Sequence, residues 1–226
     1  MKKELPKDRA SSKTWFAGLV VWFILVVLFF APATIGGKVI APIDCVECIF
    51  RPFAHRPIEE VHNQFIVDGA SQYVPHKWAL KEQWETDGYM GWNPYVHNGT
   101  ASPENTMYSP GDWHNFLFAI MPFWDAWNVG IVLQFFIAGC GMILLLRHFG
   151  VPMWVALLAA ISFSFYSQFI ICLYYRWLGS FVWAPYLVWA LIRYKQNLVN
   201  VPAILFMALA WRGGLCSHVC FFQLHF

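Results

Sequence analysis

Residues 15–35, WFAGLVVWFILVVLFFAPATI, run for 21 positions without a charged side chain. A helix rises about 1.5 Å per residue, and about 20 apolar residues cross the ~30 Å hydrocarbon layer of a bilayer. Such a segment must either cross a membrane or be buried on every side. A cleaved signal peptide would have a shorter apolar region, about 7–15 residues, so the run reads as an uncleaved anchor. Composition agrees. Charged residues make up 12% of the chain, against roughly 25% in soluble domains. Aromatic residues reach 19%, and Trp and Tyr favour the headgroup level of a bilayer. The net charge of +2 excludes the broad basic surface of a nucleic-acid binder.

The expectation is an all-α membrane protein with four or five transmembrane helices. Residues 1–14 hold Lys2, Lys3, Lys7, Arg9 and Lys13 against Glu4 and Asp8. Basic flanks stay in the cytoplasm, so this tail is placed inside and 15–35 is the first span. Residues 36–125 form a long extracytoplasmic loop with interfacial helices, and residues 36–115 carry five basic and ten acidic side chains. Residues 126–226 hold spans two to five. The second ends at Arg147 and His148. Gly150 and Pro152 turn the chain back into a third span that ends near Gln168. A fourth covers residues 180–192, and a fifth begins at residues 202–211. The chain stops within an apolar run, so the last span is expected to be incomplete. Inner ends then carry the tail, Arg147, Arg193 and Lys195, a self-consistent alternation.

The polar part of the loop is FIVDGASQYVPHKWALKEQW, residues 65–84. Proline is tolerated in a first helical turn, so Pro75 predicts a helix starting between Ser71 and Val74. Tyr73, Leu80 and Trp84 share one face of it and Gln72, Glu82 and Gln83 the other. Lys81 and Glu85 can pair at i, i+4. Together these predict a surface helix with aromatic anchors. Cys45 and Cys48 form a CxxC outside the membrane, where a disulfide is permitted. Free thiols are the alternative. Zinc ranks well behind, because His55 and His62 would have to complete the site. No phosphate-cradling glycine loop or nucleophile elbow is present, and no cofactor or metal is expected.

An aspartate after the first span, then QYVP, GWNPYVHNGTASP and YSPGDWHNFLFAIMP, resembles the YfhO-like bacterial membrane proteins of the GT-C glycosyltransferase superfamily. The resemblance continues through GCGMILLLRHFGVPMWVALLAAISFSFYSQ and WLGSFVWAPYLVWAL, covering roughly residues 68–193. It implies a bacterial inner-membrane location and sugar transfer from a polyprenyl-phosphate donor. Asp68 takes the matching acidic position and would act as base on the acceptor hydroxyl. Gln72 and Tyr73 would bind sugar hydroxyls, Trp92 with Asn93 would meet a sugar face, and Arg176 would fork onto the donor phosphate. Family members usually have ten or more spans. Here about five are legible, which counts against activity. Each residue also has a plainer reading: Asp68 as a helix cap, Gln72 and Tyr73 as surface anchors, Trp92 and Asn93 as turn residues, and Arg176 as a snorkelling side chain. The alternative function is a non-catalytic transmembrane subunit that stabilises a larger membrane complex.

Overall fold

The computed structural model describes residues 12–49, 66–87, 92–95, 98–101, 112–171, 173, 178–193 and 201–210. They are mostly helical. The first long helix, α1 (Ser12–Phe29), buries only a narrow stripe, Gly18, Trp22 and Val26, at spacings of four. Phe16, Phe23 and Leu28 stand exposed on its other faces. Pro32 ends the regular run, and a short α2 (Ala31–Thr34) follows. A second short helix, α3 (Ile43–Ile49), carries the CxxC.

The central element is α6 (Phe123–His148), 26 residues long. Among the described residues two helices, α1 and α6, are long and apolar enough to cross a membrane. Pro122 precedes the first turn of α6, and Asp125 lies within that turn, where the partial positive charge of the helix terminus favours a carboxylate. Its other end is closed by backbone geometry. Gly150 takes φ +77°, Gly150 N–H donates to Arg147 O at 3.1 Å, and Val151 N–H donates to Leu146 O at 3.2 Å. This pair satisfies the last carbonyls and needs a left-handed residue at the position glycine occupies. The Arg147 side chain is buried, and its Nη1 donates to Val151 O at 2.6 Å, tying the corner. Pro152 then leads directly into α7 (Met153–Ser164).

Glycines set how closely the neighbours approach α6. A Cβ on Gly139 would overlap the Trp22 ring of α1, and one on Gly141 would lie 2.5 Å from the Tyr186 ring of α9 (Leu178–Arg193). Both rings use their polar atoms. Trp22 Nε1 donates to Phe136 O at 2.9 Å and Tyr186 Oη to Ile137 O at 2.8 Å. Small residues at helix interfaces allow such contact where apolar surroundings supply no contrast of their own. Trp15 lies under Arg147 at 5.9 Å, while Phe30 meets Phe135 at 5.0 Å. Helices α1 and α6 therefore run antiparallel, with the start of α1 beside the Arg147 end of α6.

The run expected as a third span is not one helix. α7 is 12 residues long and stops at Ser164; α8 (Ser167–Ile171) follows. The break lies in a serine-rich stretch. Ser162 Oγ donates back to Leu158 O at 3.0 Å, a bond that competes with the helical ladder and bends helices. Phe165 fills the corner, packing against Trp22, Phe29 and Phe135. α9 has 16 residues, with a buried Pro185 inside it, and α10 (Val201–Ala210) has 10.

Candidate functional site

The polar segment after α3 is helical earlier than the position of Pro75 predicts. Residues 67–68 are already helical, and a π turn, Gly69–Tyr73, joins them to α4 (Val74–Asp87). Val74 N–H reaches back to Gly69 O, five residues away. Pro75 has no N–H and its ring crowds the carbonyl four residues earlier. Widening the turn to π spacing accommodates it without ending the helix.

Asp68 stands at the entry to this π turn. Its side chain makes no capping bond. Its Oδ1 accepts from Gln72 Nε2 at 3.1 Å, and both residues are half-buried. Of the six residues expected at the site, these two are joined directly. Tyr73 packs against the hydrophobic core. Trp92 lies in a two-residue strand, β1 (Trp92–Asn93), paired antiparallel with β2 (Thr100–Ala101). Its ring covers Gly99, and Asn93 pairs with Thr100. The strand pair closes a turn in which Asn98 and Gly99 take φ +60° and +103°. Arg176, His55 and His62 lie outside the described residues.

The buried stripe of α4 differs from the expected one. Leu80 is buried, as expected, but Lys77 and Gln83 are buried beside it, while Trp78 and Trp84 are exposed. The polar side chains point inward because polar partners meet them there. Gln83 Nε2 donates to Trp92 O at 2.6 Å. Lys77 Nζ donates to Asn115 Oδ1 at 2.7 Å and lies 3.6 Å from Asp112 Oδ2. Lys81 Nζ donates to Phe118 O at 3.1 Å and pairs with Glu85 at 2.7 Å. The i, i+4 pair is therefore present, and the same ammonium also binds a carbonyl of α5 (Phe116–Ile120).

Lys77, Asp112, His114 and Asn115 thus form a buried polar cluster between α4 and the 3-10 turn Trp113–Asn115. The His114 ring rests against Gly130 of α6. Burial, reinforced by the Lys77 charge, pushes the His114 pKa down to about 3, so this imidazole is neutral. Its Nδ1 is buried, with no hydrogen-bond partner among the described residues. His76 is pushed down to about 4 for the same two reasons, burial first. These groups went unread as a site in the sequence. The only trace is the run GDWHN, whose partners lie more than 30 residues upstream.

Cys45 and Cys48 lie buried one turn apart on α3, with no disulfide between them. Among the described residues no group of three or more His, Cys, Asp or Glu gathers in a metal-holding arrangement. No family model matches the chain, and neither a curated protein nor a solved structure does.

Proposed function

We propose that this chain is an integral membrane protein of the bacterial inner membrane, with its amino terminus cytoplasmic and the α3–α5 region outside. We further propose that it is a GT-C-like glycosyltransferase acting on a polyprenyl-phosphate sugar donor, with Asp68 as base. The observation that carries this reading is the Asp68–Gln72 pair at the π turn. The carboxylate is not spent on a helix cap, and an amide one turn away orients it. π turns inside α-helices are frequent at functional sites. A positioned carboxylate contributes about 10²–10⁴-fold to deprotonation of an attacking hydroxyl. Asp68→Asn should therefore lower sugar transfer from a polyprenyl-phosphate donor by at least about 10²-fold. Membrane insertion and thermal stability should stay unchanged. Full activity in that variant sinks the reading.

A second reading has its own support: a non-catalytic subunit packed against other membrane proteins. The exposed apolar side chains of α1 around its single buried stripe favour it. Native mass spectrometry of a mild-detergent extract separates the two. Fixed stoichiometry with other membrane chains, together with a silent Asp68→Asn, supports the subunit.

A further inference from the structure

A groove of about 580 Å³ runs between α1 and α6. Its walls are apolar, from Phe23 and Val26 on α1 and from Val129, Val132, Leu133 and Phe136 on α6. Its polar lining lies at one end, where Thr34, Asp125 and Asn128 surround the mouth. From Phe136 to Asp125 the groove follows about eleven helical positions, roughly 16 Å at 1.5 Å per residue. That is about half of the ~30 Å hydrocarbon layer, the depth of one leaflet.

The mouth is also chemically selective. Thr34 Oγ1 is used by the end of α1, sharing its one proton between Val27 O and Phe30 O. Asn128 is committed on both sides: its Oδ1 accepts from Ile40 N–H at 2.9 Å, and its Nδ2 donates to Lys38 O at 2.9 Å. The exposed Asp125 carboxylate remains to face a ligand, and the exposed Lys38 lies beside the mouth, its backbone carbonyl held by Asn128. We propose that this groove binds one acyl chain of a primary-amine phospholipid of the outer leaflet. The lipid ammonium meets Asp125 and its phosphate meets Lys38. A headgroup that is only anionic meets the carboxylate with like charge, which disfavours it at this mouth. The assignment rests on the membrane placement proposed above, not on the sugar chemistry.

The test uses the full chain, reconstituted in vesicles of equal phosphatidylethanolamine and phosphatidylglycerol, extracted in mild detergent and weighed by native mass spectrometry. Phosphatidylethanolamine should be retained at least about tenfold over phosphatidylglycerol, a difference of about 1.4 kcal/mol. Asp125→Asn should bring the two within about twofold. Val129→Trp, which fills the groove from an exposed position, should abolish retention of either lipid. Asp68→Asn should retain lipid as the unmodified chain does, so a failure of the sugar-transfer reading stays separate. Carbonate-resistant fractionation reports membrane placement independently. Equal retention of both lipids, no retained lipid, a preference that survives Asp125→Asn, or retention that survives Val129→Trp overturns the proposal.

Discussion

Single residues decide how the polar layer around α4 is held, and Lys77 offers the most direct test. Its ammonium and the Asp112 carboxylate are 10% and 8% accessible. Removing one partner of a buried pair leaves the other charge buried, at about 3–5 kcal/mol. Lys77→Met should therefore lower thermal stability in detergent by about that amount, and adding Asp112→Asn should recover much of the loss. His114 supplies a pH signature. Its folded pKa, about 3, lies below the ordinary histidine value of 6.5. Above pH 6.5 neither state binds the proton, and the stabilisation is complete. As pH falls, the unfolded chain takes up the proton first, so stability declines between about 6.5 and 3. His114→Gln should reduce the fall in melting temperature between pH 7 and 4, leaving the share that His76 contributes. Identical profiles would show that the imidazole is not held neutral.

At the scale of elements, the α1–α6–α9 packing turns on two missing side chains. The Gly139 Cβ position is filled by the Trp22 ring. Gly139→Ala should displace that ring and cost about 1–3 kcal/mol, the usual range for overpacking. Trp22→Ala alone should cost about 3–5 kcal/mol. Because the two act on one contact, the double variant should lose less than the sum. Thermal unfolding of the four proteins completes the cycle, and simple additivity would contradict the packing. The same scale shows where sequence reading worked. Gly150 and Pro152 mark the corner because one must take a left-handed turn and the other cannot continue a helix. The Lys81–Glu85 pair follows from spacing alone. The interruption after Ser164 was not legible. The apolar run continues through it, and the halt comes from serine bonding and from Phe165 filling the corner beside Trp22.

For the whole molecule, the antiparallel pairing of α1 and α6 places the α4–α5 layer at the end of α6 opposite Arg147. Under the proposed topology that layer is outside and Ser12 inside. An impermeant maleimide applied to intact cells should label a cysteine at the exposed Glu82 position and not one at the exposed Ser12 position. The reverse pattern would invert the topology.

The sequence by itself determined the two long apolar helices, the tight corner between α6 and α7, and the one-turn ion pair on α4. Each depends on residues within a few positions of one another, where periodicity, turn chemistry and charge spacing act directly. Only the tertiary structure decided that Lys77 meets Asp112 and Asn115, that Gln83 turns inward while Trp84 faces out, and that Trp92 pairs with Ala101 and lies over Gly99. Those outcomes depend on desolvation and on partners brought together from distant parts of the chain. A local pattern carries no record of which carbonyl or carboxylate will be waiting when a polar side chain is buried.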